Sequence, residues 1–122
     1  MNKKVLIADD EQNIVISLEF LMKREGYEVL LANDGDEAIQ RIRADQPDLV
    51  LLDVMMPKKS GFEVCQEVKA DPALAAVRIL MLTAKGRDTE VAKGLALGAD
   101  AYMTKPFSTR ELVDKVRSLL EQ

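Results

Sequence analysis

Asp9 and Asp10 stand directly after the apolar run Val5-Leu6-Ile7-Ala8, and Asp53 closes the run Leu49-Val50-Leu51-Leu52. Thr83 follows Ile79-Leu80-Met81-Leu82, and Lys105 lies two residues beyond Ala101-Tyr102-Met103. Three carboxylates, one hydroxyl and one ammonium thus occupy equivalent positions along the chain. Two unit charges ~4 Å apart at an effective dielectric near 20 repel by about 4 kcal/mol, so gathered carboxylates need an offset. Raised pKa values are one answer. A bound cation is the other, and an all-oxygen donor set suits a hard ion such as Mg²⁺, which keeps waters and accepts phosphate oxygens. Lys105 adds a compact positive charge suited to a phosphoryl oxygen or to Asp53 itself. Thr83 adds a hydroxyl donor. Taken singly, each residue has an ordinary reading: Asp9 or Asp10 could cap the first helix, Thr83 could cap the fourth, and Lys105 could be solvated. Only their joint placement points to chemistry.

That placement depends on the elements. The four-residue apolar runs, with Val29-Leu30-Leu31-Ala32 as a fifth member, do not alternate in polarity. Continuous runs of this length read as strands covered on both faces, hence a parallel sheet. Between them the apolar spacing changes to three and four: Ile14, Leu18, Leu21 and Met22; Ala38, Ile39 and Ile42; Phe62, Cys65 and Val68; Val91 and Leu95; Leu112, Val116, Leu119 and Leu120. Gly26 and Gly98 stand where the first and fourth helices need a left-handed end. Pro47 and Pro72 stop the second and third. Ser60-x-x-Glu63 and Ser108-x-x-Glu111 are capping-box patterns opening the third and fifth. The units recur roughly every 25 residues without self-similarity, which argues against a solenoid.

Alternating strands and helices imply a doubly wound α/β fold with right-handed crossovers. The expected architecture is a (βα)5, flavodoxin-like three-layer sandwich around a five-stranded parallel sheet. The pattern alone does not order the strands; the order of that fold type is 2-1-3-4-5, with ligands beyond the carboxyl ends where the order reverses. Asp9, Asp10, Asp53, Thr83 and Lys105 then share one rim of the sheet.

Composition narrows the classes of function. The chain has 122 residues, 17 basic and 21 acidic, for a net charge of −4. This balance argues against nucleic-acid binding by the domain itself and against an anionic membrane surface. There is no histidine, which excludes Ser-His-Asp and Cys-His catalysis, His-ligated zinc and phosphohistidine carriage. One cysteine excludes an internal disulfide and fits a reducing compartment. The charged start Met1-Asn2-Lys3-Lys4 is followed by too short an apolar run for a signal peptide. No stretch approaches the ~20 residues of a membrane span. The expectation is a cytoplasmic protein with one domain over residues 1–122.

Four segments carry a family resemblance. Val5-Leu6-Ile7-Ala8-Asp9-Asp10-Glu11, Leu51-Leu52-Asp53-Val54-Met55-Met56-Pro57 with Ser60-Gly61, Met81-Leu82-Thr83-Ala84, and Gly98-Ala99-Asp100-Ala101-Tyr102-Met103-Thr104-Lys105-Pro106-Phe107 occur in this order. The sequence resembles the receiver domain of bacterial two-component response regulators, chemotaxis-regulator-like in extent. The resemblance covers essentially the whole chain. It implies that Asp53 accepts a phosphoryl group from a sensor histidine kinase or a phosphotransfer protein. It implies that Asp10, Asp53 and the main-chain carbonyl of Met55 ligate Mg²⁺, with Asp9 acting through water. Thr83 and Lys105 would bind phosphoryl oxygens, and the Lys105-Pro106 peptide would be cis. Thr83 and Tyr102 would be the switch pair, changing the surface made by the fourth helix, fifth strand and fifth helix for a downstream protein or an attached output domain. Met55 and Lys85 would tune the slow autodephosphorylation, and small Ala84 would leave the phosphoryl group open to approach. Ala101 stands where many DNA-binding relatives carry a second acidic residue, which leaves Asp100, Arg110 and Arg117 as partners for a phosphorylation-dependent homodimer.

Other readings weigh less. A Mg²⁺-dependent phosphohydrolase with an aspartate nucleophile needs a second acid where Met55 stands. A flavodoxin-type electron carrier needs a phosphate loop where Asp9-Asp10-Glu11 would repel phosphate. Cys65 reads as a small core residue, and Lys58, Lys59, Lys85 and Arg87 read as solvated surface near the mouth of the site. Most methionines read as core fillers, with Met55 and Met56 in the loop after Asp53 as exceptions. The chain ends at Gln122 without a linker, so a single-domain regulator is expected; the alternative is a receiver fragment of a larger DNA-binding or enzymatic regulator.

Overall fold

The structure, a computed structural model, describes residues 2–84 and 88–121. Met1, Lys85, Gly86, Arg87 and Gln122 therefore lie outside the described residues. Five strands alternate with five helices: β1 (Lys4–Ala8), α1 (Gln12–Arg24), β2 (Glu28–Ala32), α2 (Gly35–Asp45), β3 (Leu49–Asp53), α3 (Gly61–Ala70), β4 (Arg78–Ala84), α4 (Asp88–Ala96), β5 (Ala101–Lys105) and α5 (Thr109–Leu120). The strands form one parallel sheet in the order β2-β1-β3-β4-β5. Strand order thus reverses between β1 and β3, as expected for the doubly wound arrangement.

The side-chain period of two explains the unbroken apolar runs. Val5 and Ile7 of β1, Leu49 and Leu51 of β3, and Leu80 and Leu82 of β4 pack with Leu18 and Met22 of α1 and Leu112 and Val116 of α5. Their neighbours Leu6, Ala8, Val50, Leu52, Ile79 and Met81 face the other way, against Ile39 and Ile42 of α2 and Val64 and Val68 of α3. Both faces of the central strands are therefore dry, and polar residues at alternate positions would be buried without partners.

The helix ends follow local chemistry. Ser60 and Glu63 form the reciprocal capping box, with both bonds at 3.3 Å. At Ser108 the bond is the one from the Glu111 N–H, at 3.0 Å. Gly26 and Gly98 have φ of 90° and 106°, where a side chain would be strained. Pro72 does more than stop α3: it opens a short 3-10 turn, Pro72–Leu74, capped by Asp71. α2 ends before Pro47 by a left-handed Gln46 with φ 45°. Three expected boundaries shift. β4 continues past Thr83 to Ala84, β5 includes Lys105 as its last residue, and β2 begins at Glu28.

One expected core position is corrected. The apolar spacing places Leu95 with Val91 on an inward stripe, yet Leu95 is 43% exposed. α4 instead turns Gly94 inward, where a Cβ would sit 3.5 Å from Met81 Cγ and 3.8 Å from the Phe62 ring. Leu95 is one residue, about 100° of helix, away from that contact and points outward. A glycine contact let the helix approach closely, and hydropathy does not register it.

Gln46 pays an avoidable strain, since the left-handed region costs a non-glycine residue roughly 1–2 kcal/mol and glycine's extra chain entropy returns only part of it. Gln46→Gly should raise the urea midpoint, by up to about 1 kcal/mol of stability. A lowered midpoint with unchanged slope would show that the backbone there is not strained.

Candidate functional site

The register of the sheet gathers the five candidates. Ala8 pairs with Leu52, Asp53 with Leu82, Thr83 with Thr104 and Ala84 with Lys105, so the carboxyl ends of β1, β3, β4 and β5 finish close to level. Asp9 then follows β1 and Asp53 and Lys105 end their strands at the same rim. Asp9 is fully buried, Asp53 and Thr83 are buried, and Asp10 is exposed. One carboxylate oxygen from each of Asp9, Asp10 and Asp53 lies within 4.8 Å of the others.

Lys105 holds this cluster together. Its Nζ lies 3.0 Å from Asp9 Oδ2, 3.3 Å from Asp53 Oδ1 and 3.6 Å from Glu11 Oε1. Burial alone would push the Lys105 ammonium down, but the hydrogen bond it donates to Asp9 and the charges of Asp53 and Asp9 outweigh it, and its pKa is raised. Backbone donors complete the arrangement. The Glu11 N–H donates to Asp9 Oδ1 at 2.9 Å, and the Met55 N–H donates weakly to Asp53 Oδ1 at 3.4 Å. Asp9 therefore does not cap α1 as an N-cap residue; Glu11 occupies that position, and Asp9 receives its amide.

Asp53 remains the strained member. Burial, followed by repulsion from Asp9, raises its pKa to about 6 from 3.8, against the lowering effect of Lys105 and the Met55 N–H. It is still mostly ionised at neutral pH, so the carboxylate is a ready nucleophile without a general base. The donor set, three carboxylates with an open exposed side at Asp10, fits a hard divalent cation. The Lys105-Pro106 peptide is cis, as expected.

The chain matches the family model described as the response regulator receiver domain over residues 5–117. It belongs to that family. The chain is 47% identical over its full length to the alkaline phosphatase synthesis transcriptional regulatory protein PhoP of Bacillus subtilis, and it spans about half (50%) of that curated relative. Among solved structures, a protein from Chloroflexus aurantiacus assigned as a response regulator superposes with a TM-score of 0.96 at 36% identity, with 100% of both chains covered. The chemotaxis response regulator CheY4 of Vibrio cholerae superposes with a TM-score of 0.91 at 31% identity, covering 98% of this chain and 99% of that one. The receiver is a module of two-component signalling, acting as a switch.

Around the receiver site, the other named residues fall as follows. Thr83 is 1% exposed and its Oγ1 donates a long 3.5 Å bond to the Met103 carbonyl. Tyr102 is 44% exposed and borders a groove of about 740 Å³ with Leu95, Glu111, Asp114 and Lys115. Met55 is 67% exposed beside Asp53. Cys65 is buried, and burial pushes its thiol up to about 11, which keeps it an inert core group. Lys58 is exposed and Lys59 pairs with Glu67 at 2.6 Å. Asp100 has internal partners: its Oδ2 accepts from Ile79 N–H at 2.7 Å and from Lys69 Nζ at 2.9 Å. Arg117 reaches Glu25 at 3.0 Å. Two of the three groups set aside for a homodimer are thus engaged within the chain, while Arg110 is exposed. Glu11 was not singled out from sequence for the Lys105 cluster, although its place next to Asp10 was visible.

The raised Asp53 pKa sets a pH dependence. A carboxyl with a folded pKa above its unfolded value contributes stability that is fully present below about pH 4 and is lost as pH rises through about 6. At neutral pH the buried charge therefore costs on the order of 3 kcal/mol. Asp53→Asn should raise the metal-free urea stability at pH 7.5 and lose that advantage at pH 4. An Asn variant equally or less stable at pH 7.5 would mean that Lys105 fully neutralises the site.

Proposed function

We propose that this receiver is a phosphorylation-activated switch in which Asp53 takes a phosphoryl group from a phosphohistidine on a sensor histidine kinase or phosphotransfer protein. The observation that carries this reading is the Asp53 carboxylate, buried and 3.3 Å from the Lys105 ammonium, with two further carboxylates beside it. Asp53 forms the new P–O bond as the P–N bond to the donor imidazole breaks. Lys105, already between Asp9 and Asp53, is placed to meet the charge on the transferred oxygens. Among the described residues the Thr83 hydroxyl makes a single long bond, to the Met103 carbonyl, which it would give up in turning to the phosphoryl group. Asp10, Asp53 and the Met55 carbonyl would hold Mg²⁺, with Asp9 acting through water. When bound, Mg²⁺ supplies charge neutralisation at the phosphoryl oxygens. The product acyl phosphate is open to water past small Ala84, which gives slow autodephosphorylation.

Phosphorylation draws Thr83 toward Asp53, and Tyr102 turns inward from its exposed position. The α4-β5-α5 face then changes for a downstream partner, a population shift between two packings. One relative favours an extension: the Bacillus subtilis protein is a transcriptional regulatory protein twice this length. Residues 1–122 are therefore read as the receiver domain of a larger cytoplasmic regulator with a DNA-binding output, in preference to a stand-alone regulator.

Intact-mass spectrometry after incubation with Mg²⁺ and acetyl phosphate should give one phosphoryl adduct, absent in Asp53→Asn. No Mg²⁺-dependent adduct on the wild type would overturn the reading. The chain has no Trp and two Tyr, so tyrosine fluorescence reports the switch. Acrylamide quenching should weaken on phosphorylation, and Tyr102→Phe should abolish the change. Unchanged quenching in the phosphorylated wild type would separate phosphorylation from any movement of Tyr102.

A further inference from the structure

The loop between β3 and α3 turns on Lys58, whose φ of 70° is left-handed without a glycine. Within the loop, the Lys59 N–H donates to the Pro57 carbonyl at 2.9 Å and the Gly61 N–H to the Val54 carbonyl at 2.9 Å. Its outer end rests on another element. The Gly35 N–H, at the first turn of α2, donates to the Pro57 carbonyl at 3.3 Å. Lys58 Nζ lies 4.0 Å from Asp34 Oδ2, and Asp34 Oδ1 caps α2 by accepting from the Glu37 N–H at 2.9 Å. Gly35 is buried under this contact, and a Cβ there would fall inside the van der Waals envelope of the Lys59 carbonyl oxygen, its carbonyl carbon and its Cβ. Two of the three obstructing atoms are backbone, so a rotamer change of Lys59 cannot relieve them.

We propose that Gly35 is a positioning residue for the loop that carries Met55: its missing side chain and its N–H let α2 clasp the loop and hold it over Asp53. This rests on the reading of Asp53, Asp10 and the Met55 carbonyl as the cation site. The loop is fixed at its inner end by the Val54 N–H, which donates to the Leu82 carbonyl at 3.2 Å, and by the Gly61 bond. The α2 clasp is the outer constraint. Without it, the Met55 carbonyl loses a fixed direction, since Met55 itself is exposed and its N–H makes only a long bond to Asp53. α2 carries no candidate site residue, yet it determines the shape of the site from outside.

Gly35→Ala should loosen the loop in the metal-free protein. Amide hydrogen exchange at Lys59 and Gly61 should quicken at least tenfold relative to the Leu51 amide, which reports global opening. The Mg²⁺ concentration giving half-maximal adduct formation with acetyl phosphate should rise at least threefold. Gly26→Ala is the control: its φ of 90° makes it strained, but nothing lies within 4 Å of a Cβ there. It should lower stability and leave both readouts at the wild-type value. Asp34→Asn keeps the helix cap while removing the charge facing Lys58, and should quicken Lys59 exchange about threefold; it decides the matter if Gly35→Ala does not fold. Wild-type exchange ratios and Mg²⁺ dependence in a folded Gly35→Ala would overturn this inference alone. A wild type with no Mg²⁺-dependent adduct would instead overturn the reading of the site, with the exchange ratios still deciding whether Gly35 holds the loop.

Discussion

A carboxylate buried next to another carboxylate is held ionised only by what faces it, and here the Lys105 ammonium faces both. It reaches Asp9 at 3.0 Å and Asp53 at 3.3 Å while largely buried itself. The compensation is incomplete, because Asp53 keeps a raised pKa of about 6. The site thus stores unfavourable electrostatic energy that a divalent cation would relieve. The rest of the fold serves to hold this arrangement against its own repulsion. The two dry faces of the sheet supply the rigidity, with Leu6, Ile7, Leu51 and Leu52 fully buried just behind the charges.

The parallel topology explains why the charges meet at one edge. Every strand runs in the same direction, so every carboxyl end lies at the same rim, and residues at the ends of four apolar runs become neighbours. The opposite rim is fastened by Asp100, which receives the Ile79 N–H and the Lys69 ammonium and so ties the start of β5 to β4 and α3. The sheet is anchored at one edge and charged at the other. α4 lies across this difference with a light hold on the sheet: Gly94 faces Met81, Lys93 sits 4.6 Å over the Phe62 ring, and Leu95 is exposed. A helix packed through a glycine loses little when it shifts, so α4 would tolerate the change of surface proposed for the switch.

The division between legible and hidden follows from range. Strand and helix identity, the positive-φ glycines at 26 and 98, and the Ser60 capping box depend on neighbours within about four residues, and their patterns stand in the chain itself. So do the receiver segments around Asp9, Asp53, Thr83 and Lys105, whose types declare the chemistry. The left-handed Gln46 and Lys58 were not legible, because glycine is the usual signal for such a backbone and neither is glycine.

Tertiary structure alone decided what touches what. The contact of Lys105 with Glu11, the packing of α4 through Gly94 in place of Leu95, the internal engagement of Asp100 and Arg117, and the clasp of Gly35 on the Lys59 backbone all join residues far apart in the chain. No local preference encodes such distances, since they arise only when the strands align in register and the helices settle on the sheet. The sequence by itself determined which groups are available and on which rim they stand. Packing decided how far apart they sit, and therefore how strongly burial and Asp9 raise the pKa of Asp53.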